Sequence, residues 1–402
     1  MSTRPQAVRG QMPAVLYWLA FGTFALATDS FLIAGLLPGI AREYALHPGI
    51  AGYLLTGFAL TYAVAAPVAA AITGRWDRRL VLLLSLSVFI SGCIAAALAP
   101  SFAALLAIRM AMALVTCLYT PAASALGASL VRPEQRGRAL ALVAMGLAIG
   151  PAIGVPLGTL VGEAFGWRAA FLADAALGAA AFAAVALGVP RGIRPPAIPL
   201  RQRLAPLGQA AIVHALLVTI AWVAGSYTLY TYLAPYMADL GVSGGNFALV
   251  LALFGAGAFV GNLAGGWATD RFGALRILIA GTSGLAMTLA GISAAPSLPH
   301  ALPVALALLA VWSILGFVGF AARQSRLIAH APAAAPVLMA LNMSAIYLGM
   351  AAGAALGGLT IAYFGSGELG LAGAAVELVA LLFLAAERRA MRGARPAMVP
   401  AA

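Results

Sequence analysis

Charged side chains are scarce in this chain, and one basic residue type is missing. Only 8% of the 402 residues are charged, lysine does not occur, and 11 acidic residues stand against 23 arginines. A soluble globular protein usually contains about 25% charged residues, so an ordinary soluble domain is excluded. The net charge of +12 does not indicate a nucleic-acid partner, because the arginines form neither a basic cluster nor an aromatic–basic face.

Cysteine and histidine are also rare. Cys93 and Cys117 are the two cysteines, and both lie within apolar segments, where we interpret them as packing residues. Two such thiols and four dispersed histidines provide neither a disulfide framework nor a metal site, so we expect no metal and no cofactor. Zinc-protease and serine-hydrolase motifs and the glycine-rich phosphate-binding loop are absent, which disfavours a membrane-embedded enzyme and an ATP-driven pump.

Apolar residues make up most of what is present. They account for 63% of the chain, whose mean hydropathy is +1.01. Twelve segments are long enough to cross about 30 Å of hydrocarbon as helices, which predicts an all-α polytopic membrane protein. The first of them superficially resembles a signal peptide, but eleven more follow, so we interpret it as an uncleaved span. The segments lie at roughly 14–37, 50–73, 80–99, 102–128, 139–162, 168–189, 208–233, 246–268, 277–296, 301–322, 337–363 and 369–387.

The arginines are distributed unevenly about this layout. Twenty of them fall on one side, at or beyond the segment ends, whereas the other side holds only Arg42 and Arg168. Arg109 alone lies well inside a segment. Because cytoplasmic loops are enriched in basic residues, this asymmetry predicts that both termini are cytoplasmic.

The chain is predicted to consist of two six-helix bundles, at residues 1–189 and 208–402. The cytoplasmic connection between them, residues 190–207, is the longest polar stretch and contains five prolines and four arginines. The two parts also repeat a motif, since an Asp-Arg pair follows the second segment at Asp77 and the eighth at Asp270. A six-plus-six repeat around a central site is typical of one large class of transporters.

The fifth segment contains a regular series of glycines and two prolines. Residues four apart share one face of a helix, so the glycines form a groove that a neighbouring helix can approach closely. Each proline removes a backbone donor and kinks the helix. The stretch therefore predicts a tight seam between moving parts, with ordinary helix packing as the alternative. The residues concerned are Gly146, Gly150, Pro151, Gly154, Pro156, Gly158 and Gly162.

These motifs resemble those of the major facilitator superfamily, and the resemblance covers essentially the whole chain. The stretch 266–273 matches the first half of the family's loop motif, whereas the copy at 74–79 has its glycine one position late and lacks the next glycine. The stretch 150–154, Gly-Pro-x-x-Gly, is similar to the fifth-helix motif of the drug/proton antiporters. Leu105-x-x-x-Arg109 is similar to the family's fourth-helix arginine motif.

Three further stretches, at 34–38, 155–168 and 340–358, are similar to the arabinose/sugar-efflux and chloramphenicol-efflux branch of that family. The resemblance implies two pseudo-symmetric six-helix bundles in a monomer. It also implies proton-coupled export of a small, neutral molecule, such as an antibiotic, a sugar or a nucleoside, across the bacterial inner membrane by alternating access. An uptake symporter of the same superfamily is the main alternative, followed by a membrane-embedded enzyme or a channel.

Asp29 is the sharpest single signal for a mechanism, because it lies within the first segment. An ionised carboxylate there costs about 2.5–3.5 kcal/mol even on a lenient insertion scale, and burial favours its neutral form. In the resembled fold the first and fourth helices line one cavity, so Arg109 can approach Asp29. We hypothesise that this pair couples protons to substrate, with a fixed structural ion pair or an Asp29 that reaches the outer interface as the alternatives. Asp174 is expected near an interface and Glu377 in a packing role, with a second proton site as the alternative for each.

Two charged pairs are predicted at the cytoplasmic ends of segments, Asp77 with Arg78 and Asp270 with Arg271. A carboxylate at such a place can cap the free N–H groups that begin a neighbouring helix. The resemblance implies that the first pair holds the two halves together in the outward-facing form. We therefore predict that all four are gating residues, whereas interfacial charges that only fix the topology are the alternative.

Aromatic and polar residues near the middle of the segments are candidates for lining the cavity. Amphipathic rings with a few polar groups suit a neutral, partly apolar ligand. The predicted substrate-binding residues are Tyr62, Tyr119, Tyr227, Tyr230, Asn262, Gln324 and Asn342.

Overall fold

A computed structural model of the chain describes residues 12–132, 135–194 and 199–393. These residues form twelve helices that are long and apolar enough to cross a membrane, and they contain no strand. The predicted all-α, twelve-helix fold is therefore confirmed. In chain order the helices are α1 (Val15–Glu43), α2 (Pro48–Arg75), α3 (Arg78–Ala97), α4 (Phe102–Ser129), α5 (Arg136–Phe165), α6 (Trp167–Gly188), α7 (Ala210–Tyr230), α8 (Gly245–Phe272), α9 (Ala274–Ser297), α10 (Ala301–His330), α11 (Ala335–Tyr363) and α12 (Ser366–Arg389).

Several helices are longer than the apolar segments that predicted them. α1 continues to Glu43, six residues beyond the predicted end, and α10 continues to His330 rather than ending at 322. The extension of α10 includes Arg323, which is only 6% exposed. The expectation that Arg109 is the only arginine well inside a segment is therefore wrong. A hydropathy pattern stops at a polar residue, whereas a helix continues as long as its backbone hydrogen bonds and its neighbours support it.

The connection between α6 and α7 lies against the loop between α2 and α3. Its described residues include a short helix, Leu200–Leu204. The guanidinium of Arg203 donates a hydrogen bond to the carbonyl of Ala70 at 3.3 Å. Part of this predicted linker, residues 195–198, lies outside the described residues, as do residues 1–11 and 394–402, for which a cytoplasmic location is predicted.

Helix packing repeats between the first six helices and the last six. α1 packs against α5 and α6, and α7 packs in the same way against α11 and α12. The pairs α2–α4 and α3–α6 recur as α8–α10 and α9–α12. Between the two halves, α2 contacts α11 and α5 contacts α8. Lipid removes the hydrophobic drive for helices to associate, so close packing of this kind stabilises the bundle.

The glycine groove of α5 is filled by α1. A methyl group built on Gly146 would lie 2.7 Å from the backbone nitrogen of Phe24. A methyl group on Gly150 would lie 2.8 Å from the Cβ of Ala27. Both distances are far below van der Waals contact, so only glycine allows the two helix backbones to approach this closely.

α5 widens at Pro151, the first of its two prolines. Residues Gly150–Gly154 form a π-helical turn between two α-helical parts, because Pro151 has no N–H to donate. This turn also contacts the other half of the molecule. A methyl group built on Gly255 of α8 would lie 2.5 Å from the Cα of Ala152. The turn in α5 therefore lies at the contact between the halves.

The two halves contact each other at the end of the bundle that contains Gly49. We term this the Gly49 end, and we term the opposite end the Asp77 end. Tyr232, which follows α7, is fully buried there. Its hydroxyl lies 2.9 Å from the carbonyl oxygen of Ala354 in α11 and 3.4 Å from the carbonyl oxygen of Gly49 in α2. The hydroxyl can donate a hydrogen bond to either oxygen. One hydroxyl thus bridges the two halves.

Removal of that hydroxyl is expected to loosen the Gly49 end. We predict that Tyr232→Phe raises the reaction rate of a cysteine placed at buried Ala51 about fivefold, because one hydrogen bond contributes about 1 kcal/mol. The measurement is thiol labelling in a Cys93→Ser/Cys117→Ser background. Tyr236→Phe is the matched control, because the Tyr236 hydroxyl donates to Ile292 within one half. Equal labelling in both variants would contradict the bridging role.

Candidate functional site

Asp29 of α1 and Arg109 of α4 form an ion pair in the middle of the first bundle. The Nη1 atom of Arg109 lies 2.5 Å from the Oδ1 atom of Asp29, and the two side chains are 0% and 3% exposed. A charge-assisted hydrogen bond between groups so deeply buried is strong, because no water competes for it. The structure therefore brings together the two residues that the sequence proposes for proton coupling.

The guanidinium of Arg109 is held between two aromatic rings. Its central carbon lies 4.5 Å from the ring centre of Phe58 and 5.7 Å from that of Phe171. These cation–π contacts stabilise the charge in apolar surroundings. The Nε and Nη2 atoms have no hydrogen-bond partner, so Arg109 retains donors for a further acceptor.

Asp174 of α6 is a second acid beside this pair. It is 2% exposed, and its Oδ2 atom has no hydrogen-bond partner. It interacts electrostatically with both Asp29 and Arg109. Two carboxyl groups thus lie within electrostatic reach of one guanidinium.

Asp29 also lines an internal cavity. On its far side, the ring of Tyr62 from α2 stacks on that of Tyr347 from α11, with ring centres 3.6 Å apart. Phe58 contacts both of these rings, at 6.2 Å and 6.4 Å between ring centres. The other lining residues are Leu26, Ala27, Ser30, Phe31, Phe89, Thr116, Thr120 and Leu147. We term this space the central cavity.

A second cavity is surrounded mainly by aromatic rings, and we term it the aromatic cavity. The hydroxyls of Ser226 and Tyr227 are buried without a hydrogen-bond partner. None of the lining residues, all of them in the described part of the chain, is charged. They are Phe31, Trp222, Val223, Ser226, Tyr227, Tyr230, Phe254, Trp312, Ser313, Gly316 and Phe317.

The other predicted substrate-binding residues line neither of these two cavities. Tyr119 is fully buried against Gly22, with its hydroxyl 3.4 Å from the carbonyl oxygen of Leu19. Asn342 accepts a hydrogen bond from Thr219 at 3.1 Å, between α7 and α11. Each of these two side chains has its own hydrogen-bond partner within the helix packing, as buried polar side chains usually do.

Asn262 and Gln324, the remaining two, are half-buried on α8 and α10 and are absent from the linings of both cavities. Of the predicted substrate-binding residues, Tyr62 therefore lines the central cavity, and Tyr227 and Tyr230 line the aromatic cavity.

The predicted gating residues lie at the Asp77 end. Asp77 caps its own helix, since its Oδ1 atom accepts a hydrogen bond from the backbone of Arg79 at 2.9 Å. Its Oδ2 atom accepts from the backbone of Gly192 at 2.7 Å. Asp77 thus binds the connection between α6 and α7 and not a helix of the other half. The neighbouring Arg78 is half-buried.

Asp270 and Arg271, the corresponding pair at the end of α8, are both exposed. At the Asp77 end, neither predicted pair forms a bond between the two halves among the described residues.

One buried charge escaped the sequence analysis. The guanidinium of Arg323 stacks on the ring of Trp222, with its central carbon 3.3 Å from the ring centre. Arg323 follows the predicted segment 301–322, so the arginine count included it among the twenty on the cytoplasmic side. The signal that could have located it is the amphipathic pattern that continues for two helical turns beyond it.

Comparison with known proteins places the chain among transporters. The family model described as Major Facilitator Superfamily matches residues 19–237 and 215–399. The chain is 33% identical over 380 residues to a chloramphenicol resistance protein of Streptomyces lividans, an alignment that covers 93% of this chain and 96% of that protein. It is 31% identical over 368 residues to the inner membrane transport protein YdhP of Escherichia coli (strain K12), covering 91% and 94%.

A solved structure also matches the fold. It is a bacterial homologue of the human lysosomal transporter Spinster, in an inward-facing and unoccupied conformation. The TM-score is 0.72, over 96% of this chain and 98% of that chain, at 19% sequence identity.

Proposed function

Given that this chain belongs to the major facilitator superfamily, whose members are transporters and not enzymes, we propose that it exports a small neutral molecule in exchange for protons. The observation that carries this proposal is the buried ion pair of Asp29 and Arg109 at the edge of the central cavity. The inner membrane of a bacterium is the proposed location, in keeping with the relative YdhP and with the twelve apolar helices.

The proposed coupling begins at Asp29. When its carboxylate is ionised, it holds Arg109 by a hydrogen bond. When it takes up a proton, Arg109 loses its charged partner, and its Nη1 atom becomes available to another acceptor together with the two donors that already lack one. Arg109 stacks on Phe58, and Phe58 contacts the Tyr62–Tyr347 pair that joins α2 to α11. A proton at Asp29 can thereby alter the contact between the two halves.

Alternating access would use the two ends of the bundle in turn. We propose that the Gly49 end, closed here by Tyr232, faces the periplasm, and that the Asp77 end faces the cytoplasm together with both termini. The arginine distribution supports this orientation. In the opposite state, the pairs Asp77–Arg78 and Asp270–Arg271 are proposed to close the Asp77 end, while the glycine seam of α1 and α5 lets the helices shift with little steric resistance.

Energy for export would come from the proton gradient. A membrane potential of about 100 mV contributes about 2.3 kcal/mol for each charge that crosses the membrane. Exchange of one neutral molecule for one proton would use this potential together with any difference in pH.

The aromatic cavity supports a substrate that contains a planar or aromatic group. Rings stack on rings, and the free hydroxyls of Ser226 and Tyr227 offer hydrogen bonds to a few polar atoms. A polyhydroxylated sugar would leave most of its hydroxyls unpaired between uncharged rings, which is unfavourable. Among the three candidate classes, an antibiotic with an aromatic ring or a nucleoside therefore fits better than a free sugar. The likeness to a chloramphenicol resistance protein points the same way.

Loss of the two cavity hydroxyls is expected to weaken substrate binding. We predict that Ser226→Ala and Tyr227→Phe each raise KM about fivefold, because each removes a hydrogen bond of about 1 kcal/mol. The measurement is initial transport rate against substrate concentration. Thr228→Val is the matched control, since the Thr228 hydroxyl already bonds to the carbonyl of Ala224 in its own helix. An unchanged KM in both cavity variants would remove the aromatic cavity from the proposal.

The proposed exchange is tested with purified protein in lipid vesicles and a panel of chloramphenicol, uridine and arabinose. An antiporter accumulates substrate in vesicles that are acidic inside, whereas a symporter accumulates it in vesicles that are acidic outside. The sign of the required gradient does not depend on how the protein is oriented. We expect accumulation only with the acidic interior, and accumulation only with the acidic exterior would establish the uptake symporter instead. Protein-free vesicles provide the background.

A further inference from the structure

The last six helices contain a second buried group of side chains, two of them ionisable, that the proposed proton path does not use. Its members lie on the helices that correspond to α1, α4 and α6 in the packing repeat. They are Trp222 on α7, Arg323 on α10 and Glu377 on α12. Glu377 is 0% exposed, although it carries an ionisable group.

The carboxyl group of Glu377 lies in a space made by glycine. Neither of its oxygens has a hydrogen-bond partner. A methyl group built on Gly225 of α7 would lie 2.6 Å from the Oε1 atom, so an alanine there would displace the carboxyl group. An ionised carboxylate without a single donor is strongly unfavourable in a site that excludes water. The surroundings therefore suit the protonated acid.

Arg323 is close enough to interact electrostatically with Glu377, yet no hydrogen bond or salt bridge joins these two described residues. Its guanidinium instead stacks on Trp222, and its Nη2 atom has no partner. Trp222 is part of the aromatic cavity. Arg323 thus has two alternative partners, the ring of Trp222 in the cavity lining and the carboxyl group of Glu377.

Few other charges are placed to act on Glu377. α12 packs against α7, α9 and α11. Tyrosines aside, the only ionisable residue described on α7 is His214 and the only one on α9 is Arg276, and each lies near the start of its helix. The described residues of α11 include no ionisable residue other than tyrosine. The group at the end of α12, Glu387 with Arg326 and His330, lies almost three turns beyond Glu377. Arg323 is therefore the charge that responds to Glu377.

We propose that Glu377 is a second proton-binding group, and that its deprotonation draws Arg323 from the ring of Trp222 to the carboxylate. The ring then loses the cation that fixes it, and one side of the aromatic cavity can rearrange. The link to substrate transport rests on the proposed function, whereas proton binding by Glu377 does not.

Proton binding at Glu377 is tested by labelling with dicyclohexylcarbodiimide, which modifies protonated carboxyl groups in apolar surroundings. The protein is used in lipid vesicles without substrate, and the modified fragment is identified by mass spectrometry. We expect an adduct at Glu377 that decreases as the pH is raised, and no adduct at exposed Glu368. Absence of the adduct at every pH tested, in protein that is folded by circular dichroism, overturns the proposal.

The exchange of Arg323 between its partners is tested by tryptophan fluorescence. The chain has six tryptophans, so the spectrum of Trp222 is obtained as the difference between the wild type and Trp222→Phe. We expect this difference spectrum to change with pH in the wild type and in the matched control Glu368→Gln, and the change to be lost in Glu377→Gln. The same change in Glu377→Gln would overturn the proposed movement.

Neither measurement requires transport. If both give the expected results while the vesicle panel shows no proton exchange, the export proposal fails and the Glu377 site stands.

Discussion

Asp29→Asn is expected to abolish substrate accumulation driven by a proton gradient, while downhill movement of the same substrate continues. Asparagine has nearly the shape of aspartate, but it neither binds nor releases a proton in the working pH range. In this variant Arg109 keeps a hydrogen-bonding neighbour and loses the charged one. We predict a fall in gradient-driven uptake of at least about 100-fold, since an essential proton-transfer group contributes about 10²–10⁴-fold.

This prediction is measured in the vesicle system with whichever panel compound the wild type transports. Asp239→Asn is the control, because Asp239 is an exposed acid outside the spans whose side chain bonds to Ser366. Accumulation by Asp29→Asn at the wild-type rate would show that the ion pair is a fixed structural element. Loss of both accumulation and downhill movement, with the protein folded, would indicate a general defect rather than uncoupling.

Gly146→Ala is expected to destabilise the protein and slow transport, although it adds only one methyl group. That methyl group meets backbone atoms of α1, among them the nitrogen of Phe24, and a backbone cannot move aside as a flexible side chain can. Overpacking of this kind usually costs about 1–3 kcal/mol. The seam of α1 and α5 would open, which also displaces Asp29 relative to Arg109.

The measurement is the midpoint of thermal unfolding in detergent, together with the transport rate. Gly137→Ala on the same helix is the matched control, because a methyl group there meets nothing within 4 Å. Alanine favours helix over glycine by up to about 1 kcal/mol, so the control is expected to be neutral or slightly stabilising. Equal stability of the two variants would show that the α1–α5 seam tolerates separation.

The fold follows from the sequence because lipid limits a spanning segment to a few structures. Apolar runs of sufficient length predict helices, and an arginine count predicts their direction, although only the helices are confirmed. The glycines of α5 predict a groove from their spacing alone. Helix ends were predicted less well, as with α1 and α10, because hydropathy does not register polar residues that neighbouring helices bury.

The site was predictable only in part. The sequence gives the depth of Asp29 in its helix, but its contact with Arg109, 80 residues away, depends on how α1 and α4 pack. The aromatic cavity draws on α1, α7, α8 and α10, so no local pattern indicates it. Arg323 was misplaced for a related reason, since the ring that stabilises it comes from Trp222 on another helix.

The central claim is that Asp29 carries the proton that is exchanged for substrate. It is tested most directly by counting protons released when substrate binds to the purified protein, from binding heats in buffers with different ionisation enthalpies. The proposed mechanism predicts that the wild type releases about one proton more per bound substrate than Asp29→Asn, because a ligand that favours the ionised form must displace a proton. Equal numbers of protons in the two proteins would contradict it.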